Sequence, residues 1–275
     1  MERYQEIERT IITTYRKQIW AKFIKAITEY KMIEDGDKIG ICISGGKDSM
    51  LLAKCFQELK KHGKNNFDIE FIVMNPGYNE ENKNKIIENS KILNIPITMF
   101  KTDIFERVEK MDDHECYLCA RMRRGYLYKK AQELGCNKIA LGHHFDDVIE
   151  TVLMGILFAG KMQTMMPKLK STSHPGMELI RPFYFVREDD IISWMKYNDL
   201  EFIKCACKIT ERQAKKKLEN GKTSKRAETK ELIKMLREKY ENSDINIFNS
   251  TKNVNLETIL SYKKDGKIVN FFDEY

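Results

Sequence analysis

The chain has 275 residues, enough for one large domain or for a domain with a small appendage. Its first twenty residues are charged and helix-periodic, and no uncharged apolar run approaches the roughly 20 residues that cross a bilayer, so we expect a soluble, cytoplasmic protein without a secretory signal or a membrane span. Seven cysteines scattered along the chain do not resemble a disulfide framework and indicate metal binding or catalysis.

Predicted helices and strands alternate along most of the chain. Short apolar runs such as IGICI are typical of buried parallel strands, and apolar residues at three- and four-residue spacing predict helices. The predicted strands are 39–43, 69–75, 97–103, 138–142 and 179–186. The predicted helices are 1–32, 50–63, the latter part of 76–95, 123–135, 143–160, 188–200 and 225–241.

Strands that alternate with helices of this length form βαβ units. We therefore expect an α/β fold with a mostly parallel sheet, covered by helices on both faces, in which ligands bind beyond the carboxyl ends of the strands. The expected domains are an N-terminal helical segment (1–32), an α/β domain (33–203) and a basic C-terminal extension (204–275) packed on it.

The net charge of +7 is unevenly placed along the chain. Between residues 204 and 239 there are 13 Lys and Arg against 5 Asp and Glu, and the remainder is close to neutral. A basic segment on a neutral body is the pattern expected of a nucleic-acid binder, although a solvated lysine-rich helix has the same composition.

The sequence SGGKDS lies at a predicted strand-to-helix junction. It consists of Ser44, Gly45, Gly46, Lys47, Asp48 and Ser49. Its glycines let backbone N–H groups approach an anion, and the following helix N-terminus adds its dipole. The lysine offers a point charge, and the aspartate and second serine are suited to positioning Mg²⁺ or a nucleotide hydroxyl. The spacing is too short for the GxxxxGK[ST] loop of kinase-type NTPases, which leaves another phosphate loop or a glycine-rich tight turn.

Four motifs resemble, in order and wording, the tRNA 2-thiocytidine synthetases of the PP-loop ATP pyrophosphatase superfamily. They are MIEDGDKIGICISGGKDS, CYLCARMRRGYLYKKAQELG, KIALGHHFDDVIET and IRPFYFVREDDI, and the resemblance runs from about residue 20 to 208. It implies that ATP, cut between its α and β phosphates, adenylates O2 of a tRNA cytidine, at position 32 of the anticodon loop. Sulfur then displaces that oxygen and AMP is released, since an unactivated pyrimidine carbonyl oxygen is a very poor leaving group.

The resemblance also implies which residues act. ATP is expected on the SGGKDS residues together with Gly142 and His143, and Mg²⁺ on Asp146 and Asp147, although a helix N-terminal cap is the alternative role for either carboxylate. No task is assigned to His144. The expected catalytic residues are Asp48, Arg123 and Asp147. The arginine is expected to stabilise charge on the adenylated base or on pyrophosphate.

In that family a CxxC pair and a later cysteine hold a [4Fe-4S] cluster whose fourth iron is left free for sulfur. Cys116 and Cys119 match the pair, at a spacing that puts both on one face of a helix, and the arginines after them favour thiolates. The third ligand is expected from KCACKIT. By position it is Cys205, with Cys207 as the alternative, because this chain has CxC where the family has CxxC. The other interpretation is a zinc ion held by all four cysteines. The CxC spacing argues against it, because a single intervening residue leaves little room for both thiolates to bind the same zinc.

The remaining cysteines, Cys42, Cys55 and Cys136, are expected to be buried structural thiols. The expected partners are tRNA, gripped through its phosphates by the basic segment, and a sulfur donor such as a cysteine desulfurase or free sulfide, with no membrane. A homodimer is compatible with the sequence, which shows no self-complementary surface.

Four competing functions remain open at this point. Lysidine synthesis uses the same loop but needs no cluster, so the clustered cysteines argue against it. Uridine-thiolating relatives carry paired-cysteine zinc modules at both ends, and residues 1–41 contain no cysteine. A nucleotide-binding regulatory module would bind ATP without forming AMP, and an enzyme that thiolates a small metabolite would form AMP without tRNA.

Overall fold

The computed structural model describes residues 1–63, 65–108, 115–203 and 224–273, with the backbone alone for Glu106, Val108 and 115–120. Among these residues no helix combines the length and the apolar character that crossing a bilayer requires. The structure has two compact units, the first formed by Met1–Asp147 and Met166–Thr223 and the second by Val148–Met165 and Ser224–Tyr275. The predicted three-part domain division stays a prediction, since these units follow contacts and not function.

The helices of the described residues are α1 Arg3–Ile12, a π-helical turn Arg16–Trp20, α2 Ala21–Glu29, α3 Lys47–His62, α4 Glu80–Ile92, α5 Ile104–Val108, α6 Glu115–Glu133, α7 Phe145–Ala159, α8 Glu188–Tyr197, α9 Lys225–Lys239 and α10 Ser243–Ser250. The strands are β1 Lys38–Ile43, β2 Asp68–Asn75, β3 Ile97–Lys101, β4 Lys138–Ala140, β5 Lys168–Lys170, β6 Glu178–Ile180, β7 Ser261–Lys264 and β8 Lys267–Asn270.

Six strands form the central sheet in the order β3-β2-β1-β4-β6-β5. All neighbouring pairs are parallel except β5 with β6, which is antiparallel. This confirms the predicted α/β fold with its mostly parallel sheet. Strand β2 pairs with one side of β1, and β4, which comes later in the chain, pairs with the other side. The carboxyl ends of β1 and β4 therefore flank the point where strand order reverses, which is where ligands bind in such sheets.

The predicted N-terminal helix is divided into three parts by the structure. After Ile12 the backbone leaves the α-helix, and the Tyr15 carbonyl accepts hydrogen bonds from the N–H groups of both Ile19 and Trp20, the second of them a π-type bond. Beyond the π-helical turn, the Phe23 ring on α2 packs against α3, with its centroid 5.6 Å from that of the Phe56 ring.

The last predicted strand, 179–186, was too long. Only Glu178–Ile180 pairs with a neighbour, because Pro182 has no N–H to donate to a ladder and the chain turns through Arg181–Phe185 instead. The antiparallel edge strand β5 was not predicted, since KLK shows no apolar alternation.

The three cysteines expected to be structural are buried and free. Cys42 lies in β1 and Cys55 in α3, and burial raises the pKa of both thiols. Cys136 follows the turn after α6, and burial raises the pKa of its thiol to about 11. Their expected burial is confirmed by this placement, and their structural role stays a prediction.

The second unit contains a helical part and a β-hairpin. Helix α9, at the position predicted for a charged helix, begins with the Ser224 hydroxyl accepting from the Ala227 N–H. Its Arg226 bonds the buried Glu150 carboxylate at 2.7 Å. Strands β7 and β8 form a separate two-stranded sheet with mostly exposed residues.

Candidate active site

The SGGKDS loop follows β1 directly and opens α3, as predicted. The Ser49 hydroxyl, which is buried, lies at its centre: it accepts from the Ser44 N–H at 3.1 Å and donates to the Gly46 carbonyl at 3.0 Å. The Ser44 hydroxyl oxygen lies 3.1 Å from the Ser49 hydroxyl oxygen. These bonds hold the loop in a tight turn, from which the first N–H groups of α3, which have no intrahelical acceptor, face outward. The loop is therefore preorganised to bind an anion at the helix N-terminus.

Two glycines lie where a Cβ would crowd neighbouring groups of the site. Gly45 has φ +87°, and a Cβ on it would lie 2.5 Å from Ile86 Cγ1 and 2.7 Å from Ile203 Cδ1. Gly142, just after β4, packs against the loop itself: its Cβ would lie 3.1 Å from the Asp48 carbonyl carbon and 3.2 Å from the Ser49 nitrogen. The segment after β4 therefore packs directly against the loop backbone. The resemblance to known enzymes did not predict this contact.

Lys47 is held between two carboxylates. Its ammonium lies 3.1 Å from Asp48 Oδ1 and 3.1 Å from Glu188 Oε1, at the first residue of α8. Burial alone would lower the pKa of Lys47, but the charges of Asp48 and Glu188 raise it. A phosphate that binds this lysine must compete with both carboxylates.

Burial raises the pKa of Asp48, while the charges of Lys47 and His144 act in the opposite direction. Its Oδ1 atom is buried and makes no hydrogen bond among the described residues, although the ammonium lies near it. A partly desolvated carboxylate beside the phosphate loop fits a group that acts on a bound cation or nucleotide.

The segment after β4 carries the other carboxylates of the crevice. Asp147 Oδ2 accepts from the His144 N–H at 3.0 Å, a helix N-terminal capping bond. Asp146 Oδ2 accepts from the Glu188 N–H at 2.7 Å and so ties α7 to α8. His144 is buried, with its ring nitrogens 3.7 Å from Asp146 and 3.6 Å from Asp147. Both aspartates thus have structural bonds, and His144 packs between them.

No group of three or more His, Cys, Asp or Glu side chains forms a metal site among the residues that the structure describes. The expected Mg²⁺ on Asp146 and Asp147 would therefore complete its coordination with substrate phosphates and water, as Mg²⁺ usually does.

Arg123 lies on α6, one turn beyond the CxxC. Its guanidinium stacks over the Phe105 ring at 5.6 Å, and its buried Nε makes no hydrogen bond among the described residues. A cation fixed by an aromatic ring with an unused donor is suited to contact an anionic substrate.

Cys116 and Cys119 lie in the first turns of α6, three residues apart. Cys205 and Cys207 lie outside the described residues. The last described residue before them, Ile203, packs its side chain against the phosphate loop at Gly45, and its carbonyl lies near Gly46. The chain therefore enters the KCACKIT segment from beside the loop.

Two residues at this edge of the sheet were not identified from the sequence. Glu188 pairs with Lys47 across 141 positions in the chain, and only the acidic first turn of the predicted helix indicated it. Arg181 follows β6 and is buried, with its Nη1 bonded to the Met166 carbonyl. A charged residue inside the otherwise apolar predicted strand 179–186 was the available signal.

Comparisons with a family model and with curated proteins both relate this chain to PP-loop proteins. The PP-loop domain family matches residues 15–214. The tRNA-cytidine(32) 2-sulfurtransferase of Paraburkholderia xenovorans (strain LB400) is 35% identical over 246 residues, which cover 87% of this chain and 69% of that protein. The protein of the same name from Shewanella denitrificans is 37% identical over 208 residues, 74% of this chain and 63% of that protein. This chain thus spans about two thirds of the length of these relatives.

Among solved structures, the U34-tRNA thiolase NcsA from Methanococcus maripaludis with its [4Fe-4S] cluster superimposes with a TM-score of 0.66. It is 21% identical, and the match covers 87% of this chain and 80% of that one. This likeness shows a shared fold. From the family match and the sequence identity, the chain belongs to the PP-loop domain family and, within it, to the tRNA-cytidine(32) 2-sulfurtransferases.

Proposed function

We propose that this protein is an ATP-dependent tRNA thiolase that converts cytidine 32 of tRNA to 2-thiocytidine. O2 of the cytidine attacks the α-phosphate of ATP and pyrophosphate leaves; sulfide then adds at C2 and the C2–O bond breaks with release of AMP. The observation that carries the proposal is the phosphate loop at the end of β1 packed against Gly142 at the end of β4, in a chain related to enzymes of that name.

The loop would bind the phosphates. The N–H groups at the start of α3 supply hydrogen-bond donors and the positive end of the helix dipole. Lys47 would exchange its contacts with Asp48 and Glu188 for phosphate oxygens. Once Lys47 has left Asp48, that carboxylate needs another cation to offset its charge beside the phosphates. This need supports Mg²⁺ on Asp48 or on Asp146 and Asp147.

Arg123 would stabilise charge during both displacements. Arg123 lies one turn after Cys119 along α6, and its guanidinium stacks over the ring of Phe105 on α5. An unused buried donor there fits contact with the adenylated base or the leaving group, which is the role expected from the sequence.

Cys116, Cys119 and Cys205, with Cys207 as the alternative third ligand, would hold a [4Fe-4S] cluster. The donor set fits: thiolates are its ligands, two of the cysteines stand at i, i+3 on α6, and Ile203, two residues before Cys205 in the sequence, lies beside the loop. When bound, the cluster would supply a site for sulfide close to the activated base.

The tRNA would be gripped in part by α9. Lys225, Lys230, Lys234 and Lys239 lie on this helix with exposed side chains, whereas Thr229 and Ile233 are buried beneath. Exposed lysines bind phosphates without reading sequence. The sulfur donor, a cysteine desulfurase or free sulfide, the homodimer and the cytoplasmic location stay predictions.

Nucleoside mass spectrometry tests the function. Deleting the gene should remove 2-thiocytidine from tRNA, wild-type protein should restore it, and an Asp48→Asn variant should not. Loss of a different modified base, lysidine included, would contradict the proposal. So would AMP formation that does not depend on tRNA, or restoration of 2-thiocytidine by a variant that binds ATP but forms no AMP.

Anaerobic purification tests the cofactor independently. A brown protein with stoichiometric iron and sulfide is expected. A colourless protein that contains zinc instead would contradict the cluster and leave ATP binding unaffected.

A further inference from the structure

Arg181 is a buried cation without a carboxylate partner. This residue directly follows β6 and is 8% exposed. Among the residues that the structure describes, no acidic group lies within ion-pair distance of its guanidinium. Its Nε atom is buried and makes no hydrogen bond in that set. Burial lowers the pKa of the guanidinium to about 10, so it is still charged at neutral pH. An unpaired buried charge is costly unless a ligand compensates it.

The position of Arg181 relates it to the phosphate loop. Strand β6 neighbours β4, and β4 neighbours β1, so the carboxyl ends of the three strands lie side by side, about 10 Å from first to last. Asp147, at the end of β4, attracts the guanidinium without reaching ion-pair distance. Arg181 therefore belongs to the same crevice edge as the loop.

Carboxylates surround the loop lysine of the crevice, which leaves the unpaired Arg181 as a site for an anion. Lys47 is already paired with Asp48 and Glu188, and Asp146 and Asp147 add further negative charge. A nucleoside triphosphate, with about four negative charges, needs cations that are not already neutralised by protein carboxylates. A planar guanidinium with a fixed fork of donors is suited to a phosphate.

We propose that Arg181 is a phosphate-binding residue of the nucleotide site, contacting a phosphate of ATP or of the AMP moiety. This inference rests on the proposed function only in taking ATP as the nucleotide. The bond from Nη1 to the Met166 carbonyl sets the orientation of the guanidinium, and a purely structural role would end with that bond.

Calorimetry on the 275-residue protein tests this role. Three separate titrations measure the binding of a non-hydrolysable ATP analogue, of adenosine and of tRNA. Each titration is made without the other two ligands, without sulfide and without the cluster. For Arg181→Met we expect binding of the analogue to weaken at least tenfold while adenosine and tRNA binding stay within twofold. Arg181→Lys, which keeps the charge but loses the fork, should weaken the analogue about threefold and provides the answer if the methionine variant does not fold. Lys170→Met, exposed on β5, is the matched control and should change nothing.

Unchanged analogue binding in a folded variant would overturn the proposal. Equal weakening of analogue and adenosine would also overturn it, since it would indicate a structural role. Loss of tRNA binding alone would assign the residue to an RNA phosphate and reject the nucleotide. None of these outcomes depends on thiolation, so failure of the proposed function is recognised separately, by unchanged tRNA nucleosides.

Discussion

The ammonium of Lys47 lies 3.1 Å from the carboxylate of Glu188, a residue 141 positions further along the chain. An ion pair therefore links the phosphate loop to the N-terminus of α8. An incoming phosphate must displace that carboxylate or share the lysine with it.

Glu188→Gln should therefore strengthen nucleotide binding. Removing this negative charge leaves the Lys47 ammonium paired with Asp48 alone and therefore more available to phosphate, and we expect a three- to tenfold lower Kd for an ATP analogue by calorimetry. Asp189→Asn, the exposed neighbour on the same helix turn, is the control and should change Kd less than twofold. Weaker binding by the glutamine variant would show that Glu188 positions the lysine and does not compete for it.

Gly142→Ala should reduce nucleotide affinity with little loss of stability. The added methyl would press on the loop backbone at Asp48 and Ser49, and the loop would shift by a few tenths of an ångström. We expect at least fivefold weaker analogue binding and a loss of about 1 kcal/mol in unfolding free energy. Gly125→Ala is the matched control: nothing lies within 4 Å of its Cβ, and it lies within α6, so stability should rise by about 0.5 kcal/mol.

Asp37 should stabilise the fold in a pH-dependent way. Burial alone would raise the pKa of Asp37, but hydrogen bonds from the Lys138 ammonium at 2.7 Å, the Glu34 N–H and the Asn137 amide lower it below the usual range. Because the native pKa is the lower one, this contribution is present above the unfolded-state pKa of about 4 and is lost as pH falls below it.

Urea unfolding measures this contribution. Asp37→Asn should cost about 2 kcal/mol at pH 7, because it removes the carboxylate nearest to the buried Lys138 and leaves those of Glu178 at 3.5 Å and Glu34 at 3.9 Å, and the difference from wild type should shrink between pH 4 and pH 3. Asp68→Asn, which removes an exposed partner of Lys60, should change stability by less than about 0.5 kcal/mol at every pH. A difference for Asp37→Asn that is constant with pH would show that the carboxylate's charge does not matter.

Replacing single cysteines should sort cluster ligands from structural thiols. Cys116→Ser, Cys119→Ser and Cys205→Ser are expected to remove at least nine tenths of the bound iron, whereas Cys207→Ser should keep it. Cys136→Ser, at a buried site outside the proposed ligand set, is the control and should retain iron. Iron retained by Cys205→Ser and lost by Cys207→Ser would exchange the two residues, and iron retained by both would exclude this segment as the source of the third ligand.

Exposed lysines of α9 should contribute to tRNA binding through charge alone. Lys234→Ala is expected to weaken tRNA binding about equally for all tRNAs and to reduce the slope of log K against log salt by about 0.9. Glu231→Gln, on the same helix, should not weaken binding. A loss restricted to one tRNA would indicate base recognition instead of phosphate contact.

The sequence predicted the framework of the site because its signals are local. The first four strands agree within a few residues, the SGGKDS loop lies at the predicted junction, and the resemblance to tRNA thiolases is confirmed by the curated relatives. A buried strand followed by a glycine-rich turn is encoded in adjacent residues, so one sequence suffices to recognise it.

Contacts between distant residues could not be predicted in the same way. The Lys47–Glu188 ion pair and the packing of Gly142 on the loop join segments that only the sheet order brings together. The break in the N-terminal helix depends on one carbonyl, that of Tyr15, accepting two N–H groups, which apolar periodicity does not reveal. The expected roles of Asp146 and Asp147 in Mg²⁺ binding and of the four clustered cysteines in the cluster stay predictions.

The side chain of Ile203 occupies the space that a Cβ at Gly45 would need. A movement of the phosphate loop on nucleotide binding would therefore press directly on Ile203, two residues before Cys205 in the sequence. Such a link would give catalysis an order, in which the base is adenylated before sulfur is delivered and wasteful release of sulfide in the absence of ATP is limited.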